Sequence, residues 1–235
     1  MKYHLKLAAA AGVAISGMAM SLGTVQAQDT GVVYAGGSAG DGINGYAGGV
    51  VALPGSRLGH GFAVRADVNG GDYRYDANGQ EISARYFGSD VALVYQTSGK
   101  WGWANFSVGP RVTDTRISPI DPANRLRGTR VDVGLQTDGT VGDEWCASWF
   151  VSLGVIDLAY ITQVRGSRLV DRRSNTQLGL EGGVQGDRHY NRRNVGVFAS
   201  TRISGKFQGV LSAGGSKQRD RPAKPYVSIG LSRVF

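Results

Sequence analysis

The chain has 235 residues, a formal charge of +8 from 26 Lys and Arg against 18 Asp and Glu, 37 glycines and a single cysteine. One cysteine excludes an internal disulfide and a thiolate metal cluster, and glycine scattered at this abundance argues against long helices, whose interiors each would destabilise by about 1 kcal/mol. A basic charge alone would admit nucleic acid as a partner, but the N-terminus carries this chain away from it.

Two basic residues, Lys2 and Lys6, precede an apolar run from Leu7 to Met20 and a polar stretch closing on Val25-Gln26-Ala27. These are the parts of a secretory signal peptide, and the apolar run is shorter than the roughly 20 residues that span a bilayer. Residues 1–27 are therefore expected to be cleaved before Gln28, leaving 28–235 as a single domain of 235 − 27 = 208 residues. No later segment holds a dozen consecutive apolar residues, so no transmembrane helix is expected. Cys146 reads as a buried or lipid-facing, inert thiol.

Downstream, stretches alternating with a period of two are divided by turn residues. They predict strands near 31–38, 44–54, 60–75, 80–96, 101–115, 127–138, 144–156, 159–170, 175–186, 193–203, 206–217 and 225–235, about twelve, with ten and fourteen as the alternatives. From Arg130 to Thr137, Val131, Val133 and Leu135 share one face, and Arg130, Asp132, Gly134 and Gln136 the other. From Trp145 to Val155, Ala147, Trp149, Val151 and Leu153 oppose Cys146, Ser148, Phe150 and Ser152. The stretch from Tyr160 to Val170 alternates poorly.

A half-buried soluble sheet alternates too. Three features favour the inverted arrangement, with apolar residues facing lipid around a polar lumen: the signal peptide, aromatic residues near strand ends (Tyr95, Trp101, Trp103, Trp145, Trp149), and Phe235 closing the last strand. That ending resembles the C-terminal signal of outer-membrane proteins, although Arg233 stands where an aromatic residue is common. The expected fold is all-β, an antiparallel up-and-down transmembrane β-barrel. The tight connections Ser98-Gly99-Lys100 and Ser204-Gly205-Lys206 then fall on the periplasmic side, and the long loop from Ser118 to Arg125 outside.

Charges predicted to face the lumen are Arg65, Asp67, Asp90, Arg111, Arg130, Asp132, Glu181 and Arg202. Mixed signs in a narrow barrel should pair, because unpaired buried charges are costly. Tyr73, Tyr75, Tyr86 and Tyr190 lie near predicted external ends, where tyrosines form a membrane girdle and could also stack on sugar rings. No catalytic constellation emerges. Gly36-Gly37-Ser38-Ala39-Gly40 matches a nucleophile elbow without the helix such a serine needs, and Gly40-Asp41-Gly42-Ile43-Asn44-Gly45 matches a dinucleotide fingerprint without a βαβ unit. Asp76-Ala77-Asn78-Gly79 is a hairpin signal. A lipid-modifying enzyme would have to use His60 or His189, the histidines of the mature chain, and no oriented partner can be named for either. Neither a cofactor nor a metal site is expected.

Four segments carry a family resemblance: VYAGG (33–37), GYAGGVVALPGSRLG (45–59), VYQTSGKWGWANFSVGPR (94–111) and DVGLQTDG (132–139). The series resembles the cellulose biosynthesis protein BcsS family. The resemblance implies an exported, outer-membrane-associated, non-enzymatic accessory of bacterial cellulose or exopolysaccharide synthesis, with no catalytic residues to transfer. Expected partners are outer-membrane lipid and, through the resemblance, components of a cellulose synthase complex or the glucan chain itself. A lipid-modifying barrel and a passive small porin are the competing readings.

Overall fold

A strand that is apolar at every second residue and polar between can satisfy both faces only when it separates two unlike environments. The computed structural model describes residues 29–235 apart from 41, 78, 189, 190 and 220, so the expected signal peptide, His189 and Tyr190 lie outside the described residues. Twelve strands form: β1 (Gly31–Ala39), β2 (Ile43–Ala52), β3 (Gly61–Ala77), β4 (Gln80–Gly99), β5 (Gly102–Ser118), β6 (Gly128–Val141), β7 (Trp145–Gly154), β8 (Tyr160–Asp171), β9 (Thr176–Gly186), β10 (Asn191–Ser204), β11 (Phe207–Gln218) and β12 (Lys224–Val234). Each pairs antiparallel with its sequence neighbours, and β1 pairs with β12 from Val32↔Val234 to Ala39↔Val227, closing the barrel. Closure leaves no unpaired sheet edge, the condition for a sheet in a medium without water. The twelve strands are those the alternation predicts, with boundaries displaced by at most three residues.

The polarity is inverted relative to a soluble barrel. Leu180 is 67% exposed while the next residue, Glu181, is 3% exposed; Val131 and Asp132 repeat this at 64% and 5%. Strands about 4.8 Å apart and tilted about 40° enclose a twelve-stranded barrel roughly 24 Å across between backbones. Side chains from opposite walls therefore fill part of the interior and leave part open.

Thr30 and Phe235 meet at one end, where the Phe235 N–H donates to Gly31 O at 2.9 Å. This terminal end also carries the tight connections 100–101 and 205–206, while the long connection 119–127 lies at the opposite, loop end. Exposed aromatic residues Phe62, Tyr95, Trp101, Trp145, Phe207 and Phe235 ring the terminal end. Arg233 pairs across from Phe207 and sets its guanidinium 5.1 Å from that ring's centroid, so a neighbouring strand supplies the aromatic surface at this point. Trp103, expected near the girdle, instead points inward at 6% exposed, because it shares its phase with Asn105 and Ser107. Trp149 lies across Gly139, where a Cβ would come within 2.4 Å of the indole, so only glycine admits the ring there.

Two features depart from a plain cylinder. At the terminal end the connection 53–60, longer than the expected turn, folds into the barrel mouth. Its Leu58, 3% exposed, packs on Val32, Val50, Ala63 and Val94, and the Gly59 N–H donates to Gln96 Oε1 at 3.2 Å. Phe198 and Val210 form a second cluster on the far wall, and Tyr34 packs against both, so apolar side chains bridge the lumen near this end.

At the loop end, β3, β4 and β5 run to 17, 20 and 17 residues against 9 and 10 for β1 and β2. The outward face of β3 changes from Phe62, Val64 and Val68 to Asp72, Arg74 and Asp76, so the strand outruns its apolar belt. The inner face of this extension is a small core of Tyr73, Tyr75, Ile82, Ala84 and Ile117, with Tyr86 packed against it. Tyr73, Tyr75 and Tyr86 thus face inward and do not form an external girdle, because their phase on β3 and β4 is that of the lumen residues Arg65 and Asp90. Gln218 Nε2 donates to Arg74 O at 2.8 Å, and Arg221 pairs with Asp76 at 3.0 Å and Glu81 at 3.1 Å. Since β12, β1 and β2 stand between β11 and β3, these contacts require the extension to lean across the mouth.

Candidate functional site

Period-two alternation delivers the interior charges, and register then decides which of them meet. Asp67 on β3 and Asp90 on β4 are directly opposed, an arrangement in which like charges repel. Arg65, on the same face, sits between them: its Nε lies 2.6 Å from Asp67 Oδ2, its Nη2 donates to Asp90 Oδ1 at 3.0 Å, and its Nη1 donates to Ser107 Oγ at 2.9 Å. The Tyr34 hydroxyl donates to the other oxygen of Asp67. One guanidinium thereby bridges a carboxylate pair that the register forces together and offsets one of its two charges.

Arg130 and Asp132 serve the loop end. Asp132 Oδ1 accepts the Ile156 N–H at 2.8 Å and Oδ2 the Asp157 N–H at 3.3 Å, while Arg130 Nη2 lies 2.7 Å from Asp157 Oδ1. Arg130 Nη1 also donates to Arg125 O at 2.9 Å, so this pair ties the β5–β6 and β7–β8 loops together. Arg111 donates to Ser152 Oγ at 2.8 Å.

Glu181 heads a separate group on the opposite wall. It receives Arg165 Nη2 at 2.8 Å, the Tyr226 hydroxyl at 2.6 Å and the Ser212 hydroxyl at 3.0 Å, with Glu181 and Arg165 side chains 1% and 3% exposed. Arg202, expected in the lumen, is a correction. It keeps the inward phase but stands exposed at the terminal rim, where the β10–β11 register shifts and its N–H donates to Ser174 O at 2.8 Å.

Sequence reasoning passed over several interior residues: Tyr34, Asp138, Arg165, Arg192 and Tyr226. Arg165 shares its phase with buried Gln163 and Ser167, a signal present in the sequence but blurred by Arg168. Arg168 carries a charge on the outward face, held 3.3 Å from Glu144 and 5.4 Å from the Trp145 ring centroid. Arg192, which donates to Ser216 Oγ at 2.8 Å, falls just outside the expected strand start.

The Glu181 group fills the β8–β12 side. The β1–β7 side holds a cavity of about 240 Å³ whose deep end is Val32, Val50, Leu58, Val94 and Trp103, and whose other end reaches the loop residues Leu126, Asp157 and Asp187. Its walls present six aspartates (Asp67, Asp90, Asp132, Asp138, Asp157, Asp187) and three arginines (Arg65, Arg111, Arg130). Tyr73 and Tyr86 line it toward the loop end, their centroids 6.4 Å apart at 49°, whereas Tyr75 stays outside the lining and closes the loop above. There the Tyr75 hydroxyl donates to Asp121 Oδ2 at 2.9 Å and accepts from Asn124 Nδ2 at 2.8 Å. Aromatic faces beside carboxylate and amide groups suit a ligand with both apolar faces and hydroxyls.

The remaining chemistry-bearing residues are dispersed. His60 is exposed in the terminal-end connection, paired through its backbone with Arg57. Cys146 is buried and its thiol donates to Asp143 O at 3.2 Å. The nucleophile-elbow match lies on β1 and its turn, so Ser38 is a strand residue bonded to Asn44 Nδ2. Among the described residues no group of three His, Cys, Asp or Glu is placed to hold a metal ion.

A family model described as "Cellulose biosynthesis protein BcsS" matches residues 32–235. No curated protein matches the sequence. Among solved structures, the translocator domain of the autotransporter NalP from Neisseria meningitidis is similar with a TM-score of 0.52 at 11% identity, covering 90% of this chain and 90% of that one. The β domain of the Bordetella autotransporter BrkA is similar at 0.50 and 12% identity, covering 88% of this chain and 100% of that one. A KdgM porin is similar at 0.48 and 10% identity, over 87% of this chain and 99% of that one. At these identities the likeness is one of fold, an outer-membrane type of barrel.

Proposed function

The chain belongs to the cellulose biosynthesis protein BcsS family, and from that premise we propose that it serves cellulose production as a non-enzymatic accessory barrel of the outer membrane. It reaches that membrane through the periplasm, with the terminal end facing the periplasm. Its lumen is a blind vestibule offered to the glucan chain or to a component of the cellulose synthase complex. The observation that carries this reading is the cavity that reaches the loop residues Leu126, Asp157 and Asp187 and is floored by Leu58 and its apolar neighbours.

The apolar belt and the closed sheet support a membrane location. The bonding of the interior carboxylates supports a non-enzymatic role: Asp67 and Asp90 share Arg65, Asp132 is spent on backbone N–H groups, and Glu181 is held by three donors. A lipid-modifying barrel would need a histidine oriented by a partner beside a nucleophile, and His60 sits exposed at the terminal end.

The test is a deletion strain complemented with the wild-type gene or with a His60→Ala/His189→Ala double variant. Deletion should reduce cellulose deposition and leave the lipid A profile unchanged, and both genes should restore deposition equally. A double variant that folds but fails to restore deposition would transfer the role to an enzyme.

A further inference from the structure

We propose that the vestibule takes the terminus of an uncharged, hydroxyl-rich glycan and turns polyanionic glycans away. This rests on the reading that the cavity is offered to a polysaccharide, and it specifies the class.

The first support is a reversal of charge. The whole chain carries +8, yet the cavity lining carries six aspartates against three arginines, a formal excess of three negative charges. Two of the arginines are held in ion pairs, Arg65 by Asp67 and Asp90 and Arg130 by Asp157, and Arg111 gives one hydrogen bond to Ser152 Oγ, so the lining offers a uronate one guanidinium against six carboxylates. An excess of one sign of charge between low-dielectric walls focuses its field, so a uronate chain meets net repulsion in this cavity.

The second support is the placement of rings and of an unmet donor. Tyr73 and Tyr86 flank the route from the loop end, and Trp103 lines the deep end, so aromatic faces stand at both. The Trp103 indole N–H has no hydrogen-bond partner although the residue is only 6% exposed. A buried donor left unpaired calls for a partner, and a turn of the indole toward the cavity it lines would offer this N–H to a sugar hydroxyl oxygen, which brings no charge. The carboxylates and amides of the wall accept from the remaining hydroxyls.

Gly88 offers a way to close the cavity without replacing these groups. It faces the lumen between Tyr86 and Asp90, and a Cβ there would stand 3.0 Å from Asn69 Oδ1 and 3.3 Å from Thr113 Oγ1, both on the cavity wall. The larger side chain of Gly88→Leu must displace Asn69 and Thr113, both lining residues, and so pushes the wall into the space.

The experiment is calorimetry and tryptophan fluorescence of the full mature barrel in detergent, titrated with cellotetraose and with tetragalacturonate. Cellotetraose should bind saturably and change the tryptophan emission, and tetragalacturonate should bind at least about tenfold more weakly at low salt. Trp103→Phe should lose most of the emission change and weaken binding severalfold. Gly88→Leu should abolish binding while keeping heat-modifiable mobility on a gel.

Tetragalacturonate binding as tightly as cellotetraose, undiminished binding by folded Gly88→Leu, or no saturable cellotetraose binding would each overturn the inference. Cellulose deposition reports separately. A deletion defect without saccharide binding removes the inference and leaves the accessory role, whereas binding without a deletion defect removes the role.

Discussion

Glu181 and Arg165 form the most deeply buried ion pair described, with side chains 1% and 3% exposed and 2.8 Å between charged atoms. Such a pair costs heavily in desolvation and holds only when every remaining lone pair and proton is met, as the hydroxyls of Tyr226 and Ser212 do here. Glu181→Ala would strand the guanidinium and should lower stability by about 3–5 kcal/mol, read as an earlier midpoint in urea unfolding of the refolded barrel. Replacing both partners with apolar residues of similar volume should recover most of that loss. Legibility at this scale followed phase: Arg65, Asp67, Asp90, Asp132 and Glu181 lie where alternation puts them, while Arg165 escaped because Arg168 gives its strand charges on both faces. Tyr75 belongs to a different environment, above the apolar belt. Burial pushes its phenol up to about 12, with the Asn124 hydrogen bond opposing and the Asp121 carboxylate reinforcing the rise. Its neutral form is therefore favoured by folding, and the stability it contributes is complete below the ordinary value of 10.0 and lost as pH climbs through about 12. The tie between the long loop and β3 should loosen over that window, seen as faster protease cleavage within 119–127, and Tyr75→Phe should show the faster cleavage already at neutral pH.

At the scale of elements, the connection 53–60 occupies the barrel mouth at the terminal end. Strand positions were readable from alternation because most strands separate an apolar from a polar side over the part that crosses the apolar belt. The inward fold of 53–60 was not readable, since it depends on Leu58 finding Val32, Val50 and Val94, residues brought together only when β1 to β4 pair and curl in register. The lean of the β3–β5 extension is likewise set by contacts between distant parts of the chain, such as Gln218 with Arg74, 144 residues apart. That lean, with the phase of β3, turns three tyrosines from a girdle into the lining and roof of a vestibule. With Leu58 on the floor, the wild-type barrel should give almost no single-channel conductance in a planar bilayer. Leu58→Asp places a charge in an apolar cluster, where it must be expelled or drag water in, and should produce openings. Conductance by the wild type equal to that of the variant would mean that Leu58 does not seal the lumen.

For the whole molecule, the distribution of charge and apolar surface has one consistent environment. Large apolar residues such as Val195, Leu180 and Leu211 are 68%, 67% and 61% exposed, a burden a water-soluble protein of this size would not carry around its whole circumference. Lipid removes that burden, and the closed twelve-stranded ladder removes the complementary one of unpaired backbone groups. Detergent can replace lipid on the belt but cannot open the ladder without breaking hydrogen bonds all around the barrel together. Solubilised without heating, the protein should stay folded, bind less detergent than an unfolded chain, and run with a different mobility on a gel, shifting to the position of the unfolded chain on boiling. The shifting band should appear in the outer-membrane fraction of cells that make it. A band in the soluble periplasmic fraction that boiling leaves in place would mean that some partner, rather than lipid, covers the belt, and the inward and outward faces would then have to be assigned afresh.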